Sequence, residues 1–226
     1  MPVNLDVANL LTNTPIQFSN SVQLILALSS LSLIPFILIS VTSFLRITVV
    51  LGMLRSALGT QQSPPNMILI SLSLFMTLFI MTPVLKDIQT NAITPYRQGH
   101  ITQNKAINLA IKPVRKFMLK QVNDNDLALF ARFADLDPTK INSAQDLPIY
   151  VIIPAFMISE LKTAFSIAFV IFLPFVLIDL LVANILLSLG MMMLSPVMIS
   201  LPFKILMFVL VDGFNLIVRG LVESYR

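Results

Sequence analysis

The sequence predicts an all-α, integral-membrane-type protein built of kinked apolar helical hairpins with a polar, helical middle insert. Three observations carry that expectation. The 226 residues are 56% hydrophobic and only 12% charged, against about 45–50% and about 25% for a soluble domain. So little charge cannot coat a water-facing surface of this size, and much of the surface must face lipid or other subunits. The charges are also segregated: none lies in residues 7–45 or 56–85, while residues 86–146 hold 15 of the 26. Lastly, the apolar runs are continuous rather than alternating, which favours helices over the strands of a membrane barrel.

The elements follow in order. Residues 1–21 are a mixed N-terminal segment with Asp6 as the only charge. With no Lys or Arg ahead of a long apolar run, the segment lacks a signal-peptide n-region; either no cleaved signal is used, or one was removed ahead of the numbering. Residues 22–85 predict a first apolar helical hairpin. A hydrocarbon core of about 30 Å needs about 20 apolar residues of helix, and runs 22–54 and 66–85 supply them. Between them, residues 59–66 read Gly-Thr-Gln-Gln-Ser-Pro-Pro-Asn, a loop composition.

Residues 86–146 predict the polar helical insert. Ile107, Ile111, Val114 and Met118 recur at helical spacing, then Leu127, Phe130 and Phe133. Asn123-Asp124-Asn125-Asp126 separates the two amphipathic pieces and suits capping of the second. Residues 147–226 return to apolar helix in runs 149–178 and 180–218, the latter long enough for two shorter helices about Ser195-Pro196. Pro35, Pro154, Pro174, Pro196 and Pro202 lie within or beside apolar runs. Each removes a backbone donor and tends to kink a helix, and in lipid the freed carbonyls need neighbours or water. The helices are therefore expected to be bent and packed against protein.

Candidate functional residues are the charges inside apolar stretches: Arg46 and Arg55, Glu160 and Lys162, Asp179, Lys204 and Asp212. A charge at a bilayer centre costs at least about 2.5–3.5 kcal/mol, so such groups face partners or a watery interior. Helix-pinning pairs, an ion or gating path, and placement at the membrane edge are the three readings. Glu160 and Lys162 are two apart and do not face each other on a helix, so each needs a partner from elsewhere, another subunit included. Lys204 and Asp212 are two turns apart and are not expected to bond directly. Gly190-Met191-Met192-Met193-Leu194-Ser195-Pro196 is either a deformable constriction or ordinary apolar packing, methionine being flexible and gap-filling.

Catalytic chemistry is absent from the sequence. There is no cysteine and one histidine, His100, and no phosphate loop, nucleophile elbow or metal-ligand spacing. No cofactor is expected. Asp124, Asp126, Asp135 and Asp137 lack calcium-loop spacing and a closing Glu and read as solvated caps and turns. The basic residues lack the run and the interleaved aromatics of a nucleic-acid site.

A family resemblance rests on ordered motifs from residue 22 onward. Pro154-Ala155-Phe156-Met157-Ile158-Ser159-Glu160-Leu161-Lys162-Thr163-Ala164-Phe165 resembles the signature of the FliP family and its injectisome counterparts. It continues with Leu173-Pro174-Phe175, Ile178-Asp179, Leu189-Gly190-Met191-Met192-Met193, Ile199-Ser200-Leu201-Pro202-Phe203-Lys204 and Val209-Leu210-Val211-Asp212-Gly213. Thr42-Ser43-Phe44-Leu45-Arg46, Leu54-Arg55-Ser56-Ala57-Leu58-Gly59 and Pro64-Pro65-Asn66 match in the first hairpin. Phe117-Met118-Leu119-Lys120-Gln121 and Asp126-Leu127-Ala128-Leu129-Phe130-Ala131-Arg132 are similar to the flagellar branch. The chain departs from the pattern at Ser166, Ala168 and Phe214, where the family often has a basic residue or glutamine, a glycine and a tryptophan.

The resemblance implies a core subunit of the flagellar type III export gate. Five copies would assemble with FliQ and FliR, beside FlhB, FlhA and the basal-body ring. The assembly would sit in the bacterial inner membrane, much of it on the periplasmic side, and pass unfolded flagellar proteins through its centre. Met191, Met192 and Met193 match a methionine-rich loop that closes the resting pore. Glu160, Lys162 and Lys204 match positions of inter-subunit contact. An injectisome export-gate subunit is the nearest alternative. A small-solute transporter is a more distant one, for which the chain shows no internal repeat.

Overall fold

The computed structural model describes residues 29, 32–60, 63–135, 143–191 and 193–225. The chain falls into two compact units, Met1–Ile37 and Leu38–Arg226. In the first, the Ser32 hydroxyl donates to the Ser29 carbonyl at 2.7 Å, just ahead of the opening of α1 (Ile34–Val41). The predicted mixed segment at residues 1–21 lies outside the described residues.

The second unit is all helix among the described residues. After α1 come α2 (Phe44–Ala57) and α3 (Asn66–Ile88). A π turn (Gln89–Ile93) and the short α4 (Thr94–Arg97) extend α3. Next are α5 (Gln103–Gln121) and α6 (Asp124–Phe133). A 3-10 turn (Ala144–Asp146) leads into the 40-residue α7 (Ile149–Ser188). The chain ends with α8 (Pro196–Leu210) and α9 (Gly213–Glu223). Two helical stretches, Asn66–Arg97 and Ile149–Ser188, are long and apolar enough to cross a membrane, or up to four if each bent pair is one span.

Two boundaries differ from expectation. The first apolar run breaks at Thr42-Ser43, between α1 and α2. The Thr42 hydroxyl donates back to the Leu38 carbonyl, and its oxygen accepts from the Phe44 N–H at 3.3 Å. Side-chain bonds of this kind compete with the helical ladder. Conversely, the runs at 149–178 and 180–218 are not separated at Asp179; helix continues to Ser188. Pro154 and Pro174 sit inside it, and it stops only ahead of Gly190, which takes φ +73°.

Proline explains the π turn. In a regular helix residue 95 would donate to Asn91, but Pro95 has no N–H and its ring crowds that carbonyl. The helix widens instead, and the Thr94 N–H donates five residues back, to Gln89. At the second bend, α8 meets α9 at 62°. Asp212 takes the left-handed conformation (φ +51°), which aspartate tolerates better than most residues. The next residue must be glycine, because a Cβ on Gly213 would lie 2.2 Å from the Phe208 ring.

Helix α7 is the spine: α2, α5, α6 and α8 all pack along it. One core joins Ile47, Val50, Leu51 and Leu54 of α2 to Ala164 and Phe175 of α7. A second joins Met118 and Leu127 to Ile152, Ala155 and Phe156. The expected stripe on the insert is buried at Met118 and Leu127 but runs out at its ends, where Ile107 and Phe133 are exposed.

Candidate functional site

Three charge pairs are strung along α7, and each ties it to a different helix. The first lies at the N-terminal end of α2. Arg46, buried on α2, donates through Nη2 to Glu160 Oε1, and Glu160 is fully buried. The same nitrogen reaches Gln121 Oε1 of α5 at 3.4 Å, and Nη1 reaches Ser224 Oγ at 3.0 Å. The guanidinium also lies 4.0 Å over the Tyr225 ring, a cation–π contact. Tyr225 donates its hydroxyl to Glu160 Oε2 and stacks on Phe117 with centroids 5.9 Å apart. Burial, then the Glu160 carboxylate, pushes the Tyr225 phenol above its ordinary value. A buried pair gains most when its remaining lone pairs and protons are satisfied; both carboxylate oxygens are, by two different donors, while the buried Arg46 Nε has no hydrogen-bond partner among the described residues.

The second pair joins α7 to α6. Lys162 donates to Asp126 Oδ1, and Ser159 Oγ donates to Asp126 Oδ2 at 2.8 Å. Ser159 in turn accepts from the Asn123 N–H at 2.9 Å, while Asn123 caps α6 through Asn125. The hydrogen bond from Lys162, then that from Ser159, holds the Asp126 carboxyl below its ordinary value against the opposing effect of burial. Asp126 is therefore not a solvated cap: it is buried, in the first turn of α6, where a negative charge also suits the helix dipole.

The third pair joins α7 to α8. The buried Lys204 donates to Asp179 Oδ2 at 2.6 Å and to the Ala57 carbonyl at 3.4 Å. That carbonyl belongs to the last turn of α2, where a cation is favoured by the dipole. Ser200 Oγ completes the group, 2.5 Å from Asp179 Oδ1.

The remaining predicted residues lie apart. Arg55, half-buried, donates to the Pro64 carbonyl at 3.4 Å and to Asn66 Oδ1, closing the loop between α2 and α3. Asp212 is exposed at the α8–α9 bend and accepts from Asn215 at 3.0 Å, with no bond to Lys204. Met191 and Met193 are exposed in the loop between α7 and α8, Met193 completely; Met192 lies outside the described residues, as does Asp137. Glu160 and Lys162 do point to different partners, but those partners, Arg46 and Asp126, belong to this chain.

Sequence reasoning missed Asp126, Ser159 and Tyr225. Ser159 and Tyr225 carry no local signal. Asp126 had one: it sits four residues before Phe130 on the apolar stripe of α6, where a carboxylate needs a partner.

Apolar helices of spanning length, pinned to one long helix by these pairs while broad apolar faces stay exposed, define a membrane-type helical protein. The chain belongs to the FliP family, whose model matches residues 27–221. It is 50% identical over 214 residues to the flagellar biosynthetic protein FliP of Bacillus subtilis (strain 168), covering 95% of this chain and 96% of that protein. It is 48% identical to the flagellar biosynthetic protein FliP of Pectobacterium carotovorum subsp. carotovorum, covering 91% and 79%. The protein of the same name from Caulobacter vibrioides is 50% identical, covering 91% and 76%.

Proposed function

We propose that this chain is a core subunit of the flagellar type III protein export gate. Several copies, five by family analogy, assemble with FliQ and FliR beside FlhB, FlhA and the basal-body ring. Together they line the inner-membrane pore that secretes unfolded flagellar proteins, with much of the mass on the periplasmic side. The observation that carries this reading is the 50% identity, across 95% of the chain, to a protein named for flagellar biosynthesis. The geometry fits it. The polar groups of α7 are largely consumed inside the chain, leaving apolar faces such as Phe169, Val170, Leu173 and Leu177 exposed for neighbouring copies.

Of the seven candidate charges, Lys162 and Asp212 are exposed, and contacts between copies fall to them. Arg46, Glu160, Lys204 and Asp179 act indirectly, by fixing the helix faces that other copies meet. Arg55 fixes the α2–α3 loop. Met191, Met192 and Met193 form the gasket. Unbranched apolar side chains seal against ions, yet deform around any extruding polypeptide.

The test is secretion of hook and filament proteins by a flagellated host lacking the gene for this chain, with and without the gene restored. Export stops in its absence and returns with it. Normal flagellar export without the gene sinks the proposal and returns the injectisome reading to the front.

A further inference from the structure

Helices α3 and α5 each carry an internal proline, Pro83 and Pro113. Both line one cavity of about 770 Å³. Each proline lacks the N–H that would bond the carbonyl four residues back, Phe79 on α3 and Leu109 on α5, and so favours a bend at that level. Two bend-prone points on facing walls leave the angle of α5 to whatever closes the cavity. That closure is Val222 of α9 and, just past the helix, Tyr225. Tyr225 is only 6% exposed, although α9 itself buries just Gly213 and Leu221.

Tyr225 meets three helices at once. Its ring stacks on Phe117 of α5, with 16° between the planes, and carries the Arg46 guanidinium of α2 on its face. Its hydroxyl donates to Glu160 of α7. Its carbonyl accepts from Lys120 Nζ and Gln121 Nε2, both at 3.4 Å. The three α5 partners, Phe117, Lys120 and Gln121, stand at i, i+3 and i+4 and therefore share one face of the last turn. Phe117 is held from a second side by the edge-on Phe156 of α7, at 6.0 Å. We propose that Tyr225 is the positioning residue of the polar insert: its ring and carbonyl clasp the last turn of α5 to α2 and α7, and so fix the angle at which the insert stands on the apolar helices. The proposal concerns this chain alone and does not rest on the export reading.

The experiment is a distance measurement by double electron–electron resonance on the full chain in detergent. The chain has no cysteine, so K112C on α5 and S166C on α7, both at exposed positions, take the only two spin labels. The labelled chain should give one narrow distance. Y225A should broaden it and add a longer distance. Y225F, which keeps the ring and the carbonyl and loses only the bond to Glu160, should stay narrow. F117L, which removes the stack from the α5 side, should broaden the distance less than Y225A, and it reports on the clasp even if Y225A fails to fold. L51A, which loosens the core between α2 and α7 without touching the clasp, should stay narrow. A narrow distance in Y225A, or in F117L where Y225A does not fold, overturns the positioning role. So does broadening in Y225F as large as in Y225A, which would trace the effect to the lost donor of Glu160, or equal broadening in L51A, which would trace it to general loosening.

Discussion

The two halves of α7 are one helix in two environments. From Val151 to Ala168 eight residues are buried; beyond Ala168 only Phe175 and Leu186 are. The N-terminal half carries Glu160 and Ser159, with bonds to α2, α6 and the C-terminal Tyr225. The C-terminal half has one polar tie, Asp179, and otherwise exposes Val176, Leu177, Leu180, Leu181 and Ile185. Composition follows the same divide: Leu, Ile, Phe and Val make up 9 of residues 149–168 but 15 of residues 169–188. The first half is finished by its own chain, and the second is left to whatever surrounds it, subunits or lipid. The more apolar half is the less buried one, because the polar groups that anchor α7 to its own chain lie mostly in the first half.

That contrast can be broken experimentally. The largest effect is expected at Glu160→Ala, which strands Arg46 in the core; removing one member of a buried pair costs about 3–5 kcal/mol. The thermal midpoint of the detergent-purified chain should fall sharply, and oligomer formation on native gels with it. An unchanged midpoint would mean that the pair is not what holds the N-terminal half.

Phe156→Ala should cost a similar amount, about 3–5 kcal/mol for a buried aromatic. Phe169→Ala, in the exposed half, should leave the isolated chain within about 0.5 kcal/mol yet weaken co-purification with partner subunits. If both variants destabilise the isolated chain equally, the two halves do not differ in the way described.

Asp126→Asn should have a smaller effect, about 1–2 kcal/mol, at the low end for charged hydrogen bonds because the Lys162 head is in solvent. Since the folded Asp126 carboxyl is held below its ordinary value, its contribution is complete above the unfolded value of about pH 4. It is lost as pH falls through the folded value. Denaturation of wild type and variant from pH 7 down to pH 3 should show a constant gap that closes only on acidification; a gap that closes near neutrality contradicts the assignment.

Smallest in stability is the replacement of Met191, Met192 and Met193 by glycine, expected within about 0.5 kcal/mol because Met191 and Met193 are exposed. Its readout is ion leakage through the assembled gate, which should rise. Unchanged conductance removes the gasket role.

The sequence by itself determined the class of protein and most of its helices. Low charge, its segregation and helical spacing are local properties, so the α2–α3 loop and the Asn123 cap of α6 were legible. Two helix ends were not. The break at Thr42-Ser43 depends on a threonine hydroxyl winning against the backbone ladder, and the continuity of α7 through Asp179 depends on Lys204 waiting across the gap. Only the tertiary structure decided which charges meet. Arg46 lies 114 residues from Glu160, Tyr225 lies 65 from Glu160, and Asp126 lies 36 from Lys162. The need for a partner is written in each buried charge, because desolvation penalises it wherever it goes. Which partner answers depends on the helices that packing brings alongside, and no local pattern encodes that.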